Sequence, residues 1–193
     1  MPELTAPRRA PLVTIFLTVF IDLLGVGIIV PISAPLLFES GGLLADSVPY
    51  AERTKLLGYL LGIFMFFQFF SGPLLGSLSD KFGRRKVLTL SLLATIAGFA
   101  LFAFGIYWKN IAILFVSRAF LGTASGNLSV VYSAIADLSD PASKAKNFGL
   151  VGAAFSLGFI IGPVIGGLLS DPTLVSWFNP ATPFLFSAML AAI

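Results

Sequence analysis

The chain has 193 residues, of which 57% are hydrophobic, 13% aromatic and only 11% charged, with a mean hydropathy of +0.97; that excludes an ordinary soluble domain, whose apolar share is near one half even with glycine counted. The net charge of +3 sits in short gaps between apolar runs, which points to membrane topology and away from a nucleic-acid partner. No histidine and no cysteine are present, so disulfide frameworks, thiol or imidazole catalysis, and the usual zinc, haem and iron–sulfur ligand sets are excluded as well.

Apolar segments fall at about residues 12–37, 57–79, 87–108, 111–136 and 147–169, each near or above the roughly 20 residues that carry a helix across about 30 Å of hydrocarbon. A sixth, at 182–193, gives only about 18 Å of helix, too short to cross. The expectation is an all-α, polytopic helical bundle whose last helix is incomplete, in a chain that is a fragment.

The first apolar run, Pro11 to Phe38, is too long for the core of a secretory signal. Arg8-Arg9 is read as an anchor and not as a twin-arginine signal, because no soluble passenger follows. Gly25, Gly27 and Pro31 predict a bent helix. Asp22 lies some 16 Å up that helix from Pro11, near mid-bilayer, where an ionisable group costs about 2.5–3.5 kcal/mol and faces a cavity or a partner. It is either a structural acid or a substrate-contacting, proton-titrating carboxylate. After it, "ESGGLLADSVPYAERTK" reads as a surface loop.

In the second segment, Gln68 within "FMFFQFF" either touches a solute or joins helices. The connector "GSLSDKFGRRKV" concentrates charge from Asp80 to Lys86, and Gly83 allows a tight turn there. In the fourth segment, "RAFLGTASG" places Arg118, Gly122 and Gly126 on one helix face. The arginine is left inside the membrane, where Asp22 or the backbone near Gly25 is its expected partner. Asn127 begins a glycosylation sequon that falls inside this span and is discounted. In the fifth, Gly158, Gly162 and Gly166 recur every four residues, with Pro163 and Gly167 beside them, as a face for a neighbouring helix.

If the amino terminus is cytoplasmic, that side holds Arg8, Arg9, Lys81, Arg84, Arg85, Lys86, Lys144 and Lys146. The other side holds Arg53, Lys55 and Lys109. The imbalance obeys the positive-inside rule, and the expected location is the plasma (inner) membrane.

Together these motifs resemble the major facilitator superfamily, in its drug:proton antiporter branch that includes the tetracycline-efflux proteins. "GSLSDKFGRRK" is similar to that family's loop between helices two and three, "RAFLGTASG" to its fourth-helix motif, and "GFIIGPVIGG" to the fifth-helix motif of antiporters. "DLLGVGIIVP" resembles the first helix of the tetracycline-efflux type, and Gln68 and Asp137 also fall where that type has such residues. The resemblance implies the first half of a twelve-helix transporter, with the carboxy-terminal half and any coupling acids in it absent. It implies that Arg84 bridges to Asp137, and that Asp80 caps or pairs with the opposite half, forming with Gly83 an inner gate. Asn127 departs from the small apolar residue usual there, and either lines the pathway and tunes substrate choice or has no role.

The expected function is proton-coupled export of a small amphipathic drug-like solute by alternating access, using the proton gradient and no cofactor. Asp22, Gln68, Arg118 and Asn127 are the candidate proton or substrate residues. The alternative is an importer or facilitator of a sugar or metabolite on the same fold. An enzyme is not expected, since almost no intramembrane acid, base or nucleophile accompanies Asp22.

Overall fold

The computed structural model describes residues 9–192, so Arg8 of the amino-terminal basic pair lies outside the described residues. Seven helices follow: α1 (Arg9–Phe38), α2 (Tyr50–Phe82), α3 (Arg84–Tyr107), α4 (Ile111–Ser125), α5 (Leu128–Leu138), α6 (Lys144–Ser170) and α7 (Thr182–Ala191). There is no strand among the described residues, as expected where hydrocarbon leaves backbone groups no partner outside their own helix. Five stretches are long and apolar enough to cross a membrane, with α4 and α5 together forming one of them.

Some helix boundaries depart from the sequence expectation. The last six residues of the stretch read as an outer loop, Tyr50 to Lys55, are the first turns of α2. At 33 residues, that helix is about 50 Å long and outreaches the hydrocarbon layer. It continues to Phe82, and α3 resumes at Arg84, so the charged connector shrinks to Gly83 alone. Gly83 has φ +94°, in the region that side chains strongly disfavour.

The fourth span is not one helix. Asn127 N–H bonds the Ala124 carbonyl at 3.3 Å, a three-residue spacing that tightens the turn and separates α4 from α5.

Hydrophobic driving force between helices is weak in lipid, so close backbone packing has to supply the contact energy. The main contacts put α1 against α6, α2 against α4, and α3 against both α4 and α7. Gly158, Gly162 and Gly166 are buried on the α1 side of α6. A Cβ on Gly162 would lie 2.8 Å from Gly27 Cα, and one on Gly27 would lie 3.0 Å from Pro163 Cδ. Gly167 does not belong to this face: it is exposed, and a methyl group added to it would meet no atom within 4 Å, because the helical repeat turns it away. Between α2 and α4, side chains on Gly122 and Gly126 would run into Phe64 and Ser71.

Gly25 and Gly27, which the sequence suggests as bend residues, are packing positions in a helix that continues to Phe38 through Pro31 and Pro35. The most apolar stretches of α1 and of the α4–α5 span are 50% buried, against 17% for α2 and 22% for α6; the first two therefore form the centre. Of the aromatic run in α2, Phe64 turns inward while Phe66, Phe69 and Phe70 face outward.

At the end of α2 away from Gly83, the loop 39–49 is pinned from within. Arg53 is only 6% exposed and donates to the carbonyls of Leu37 at 2.6 Å, Ala45 at 2.8 Å and Val48 at 3.0 Å. The charge pattern alone puts it among the outer anchors; its role in this structure is to close the loop. Lys109 adds a bond to the Gly41 carbonyl at 2.8 Å. At the opposite end, the Ser143 hydroxyl and N–H hold the Asp140 carboxyl below the usual carboxylate range, just ahead of α6.

Gly162→Leu is expected to destabilise the bundle by at least about 1–3 kcal/mol through overpacking, while Gly167→Leu leaves stability near that of the parent. Thermal unfolding of the two purified variants in detergent checks this, and equal effects would contradict the packing assigned to α1 and α6.

Candidate functional site

Asp22 is 9% exposed and both of its carboxyl oxygens are engaged. Thr95 of α3 donates from Oγ1 to Oδ1 at 3.1 Å, and Asn127 donates from Nδ2 to Oδ2 at 3.0 Å. The helix register explains the first bond: Asp22 and Gly25 share one face of α1, Thr95 and Phe99 share one face of α3, and Gly25 lets the Phe99 ring come close. The break between α4 and α5 explains the second, since it places the Asn127 amide inside the bundle at 2% exposure.

Asp22, Asn127 and Gln68 line one small cavity with Phe64, Ser125 and Phe155. Its volume is about 30 Å³, enough to hold water, for which about 10–15 Å³ suffices. Pockets for drug-sized ligands run to about 300–1,000 Å³. The cavity as it stands is therefore sized for a proton carrier or a water, and a larger solute needs more surface than these residues enclose.

Gln68 does the joining work that its sequence position allows. Its Nε2 donates to the Ser125 carbonyl at 3.2 Å, one of the carbonyls left over where α4 stops. Ser71 reaches the Gly122 carbonyl at 3.4 Å and Ser129 reaches that of Gly72 at 2.8 Å, so polar side chains stitch α2 to both sides of the break.

Arg118 does not meet Asp22 or the backbone near Gly25. It is 3% exposed, donates from Nε to the Leu60 carbonyl of α2 at 3.3 Å, and stacks with Cζ 4.3 Å from the Phe64 ring centroid. The physical reason is the close α2–α4 approach over Gly122, which lays the long side chain along α2. No ion pair to Arg118 forms among the described residues.

Arg84 of the connector gathers two carboxylates, Asp80 near it in sequence and Asp137 of α5. Its Nη1 bonds Asp80 Oδ1 and Ser79 Oγ, both at 2.5 Å, and its Nε bonds Asp137 Oδ2 at 3.3 Å. The cluster ties the end of α2, the start of α3 and the end of α5. Asp80 and Asp137 side chains are 67% and 62% exposed, where an ion pair contributes about 0–1 kcal/mol. Asp80, expected to act toward an opposite half, is paired within this one.

Thr95 and Ser79 are hydrogen-bonding neighbours of the candidate residues Asp22 and Arg84 that sequence reasoning misses altogether. A single hydroxyl residue in an apolar helix carries no signal of its own, and only the packing of α1 on α3 and of α2 on α3 shows what each faces.

Long apolar helices enclosing a paired carboxyl and a buried guanidinium define a polytopic membrane protein with polar machinery inside the span. The family model described as Major Facilitator Superfamily matches residues 15–193, and the chain belongs to that family, one of transporters and not of enzymes.

Among similar curated proteins, the tetracycline resistance protein, class C, of Escherichia coli is 36% identical over 180 residues, covering 93% of this chain and 41% of the relative. The major facilitator superfamily domain-containing protein 10 of Bos taurus is 34% identical over 192 residues, covering 89% of this chain and 41% of the relative. A crystal structure of the human organic anion transporter MFSD10 (TETRAN) superposes with a TM-score of 0.75 at 29% identity, over 97% of this chain and 47% of that one. The chain thus spans less than half the length of the relatives it matches.

Phe64→Leu and Arg118→Met together are expected to cost less than the sum of the single changes, with a coupling of about 0.5–2 kcal/mol for the guanidinium on the ring. A double-mutant cycle in detergent unfolding measures it, and additive single effects would remove the stacking from the account of Arg118.

Proposed function

We propose that this chain is the amino-terminal half of a proton-coupled exporter of amphipathic, drug-like solutes that works by alternating access. The observation that carries the reading is Asp22: a buried mid-span carboxyl, held by two neutral donors with no cation on it, beside a water-sized cavity. A carboxyl so placed is suited to take up and release protons, while an acid serving only to neutralise a cation would sit on one. Similarity to tetracycline resistance proteins supports export of a drug-like solute.

Rocking of two halves about a midplane site is the motion that such a fold supports. Energy comes from the proton gradient, without a cofactor. The amino terminus lies in the cytoplasm and the protein in the plasma (inner) membrane, on the excess of Lys and Arg at the Arg84 end. In that setting the exposed cluster of Asp80, Arg84 and Asp137 around Gly83 serves as a latch at the cytoplasmic end, weak enough to break in each cycle. The name of the solved relative, an organic anion transporter, favours a second substrate class, solutes with an acidic group, for which Arg118 is the available buried cation.

The test is solute-driven proton release in inside-out vesicles carrying the full-length transporter. Asp22→Asn is expected to abolish proton-coupled flux; gradient-driven flux at the parent rate would remove Asp22 from the coupling. Arg84→Ala is expected to lower transport several-fold while membrane insertion stays normal, and unchanged transport would remove the latch. Solute movement without proton release in the parent would favour facilitated movement of a metabolite.

A further inference from the structure

We propose that the proton taken up by Asp22 resides on Oδ1, and that Thr95 is the positioning residue that lets this oxygen gain and lose it. The proposal rests on the reading of Asp22 as the proton-binding group, and it names the oxygen and the partner involved.

An ionised carboxylate only accepts hydrogen bonds, and the two donors present satisfy it: the Thr95 hydroxyl on Oδ1 at 3.1 Å and the Asn127 amide nitrogen on Oδ2 at 3.0 Å. Once protonated, one carboxyl oxygen becomes a donor itself. On Oδ2, the new hydrogen would point at an NH₂ group that has only hydrogens to offer, and the carboxamide would have to turn over. On Oδ1, it meets a hydroxyl, which both donates and accepts. Rotation about the Thr95 Cβ–Oγ1 bond turns that hydroxyl from donor to acceptor of the hydrogen bond with Oδ1. The Asp22–Thr95 hydrogen bond is then kept in both protonation states. Thr95 is 1% exposed, so no water takes its place.

The other elements around Asp22 bring no competing proton site. Phe64 and Gln68 face the cavity from α2, Ser125 from α4, Asn127 from the break and Phe155 from α6, and none of these ionises. Arg118 is turned to the Leu60 carbonyl. Asn127 lines the cavity and Thr95 does not. Thr95 therefore holds Oδ1 from behind the cavity, and Asn127 with Oδ2 keeps a constant hydrogen-bonding surface toward it.

Infrared difference spectroscopy of the purified protein tests this without any transport, by following with pH the carbonyl band of a protonated carboxylic acid that disappears in Asp22→Asn. Thr95→Val is expected to move the titration midpoint of that band to higher pH by about one unit, because the charged form loses a stronger hydrogen bond than the neutral form does. Thr95→Ser, which keeps the hydroxyl, is expected to titrate with the parent. If Thr95→Val does not fold, Thr95→Ala carries the same expectation. A valine or alanine variant titrating like the parent, a serine variant behaving like valine, or the lack of any Asp22-dependent band would each overturn the proposal. A normal Asp22 titration together with no proton release in vesicles would sink the export reading and leave this one standing.

Discussion

The near-contact of two backbones, Gly27 of α1 against Gly162 of α6, is what the rest of the bundle is arranged around. Lipid does not drive helices together as water does, so they hold by close dispersion contact, and glycine is the residue that permits the shortest approach. With α6 closed on one side of α1, the face carrying Asp22 and Gly25 is left for α3 and for the α4–α5 junction. The carboxyl at mid-span is thereby committed to Thr95 and Asn127. Repositioning α6 would move α1, and with it the partners of the acid.

The junction itself is a local helix defect with a use. A helix interrupted in lipid exposes carbonyls that water cannot satisfy, and here Gln68, Ser71 and Ser129 supply the missing donors or link across to α2. The interruption then costs little and turns the Asn127 amide onto Asp22. The same small residues that let α2 approach α4, Gly122 and Gly126, also lay Arg118 against Phe64. One close helix pair thus sets both the cation and the amide of the site.

Polar groups in this molecule fall into two regimes. Asp22, Thr95, Asn127, Arg118 and Arg53 are buried, and stripping a partner from such a group costs about 1–3 kcal/mol or more. Asp80, Arg84 and Asp137 lie at an exposed end, where pairs are screened and easily exchanged.

Much of this was legible in the residues. The all-helical spans, the mid-membrane acid, the stacked glycines of α6 and the pairing of Arg84 with Asp137 follow from segment length, the expense of charge in lipid, four-residue helical spacing and family resemblance. Each depends on one segment or on a motif, which is what a linear sequence records. The partner of Arg118, the burial of Arg53, the outward turn of Gly167, the division of the fourth span and the role of Thr95 depend on which helix lies beside which, and at what rotation. A threonine or an arginine offers the same donors wherever it stands; packing alone decided that one would hold an acid and the other a carbonyl.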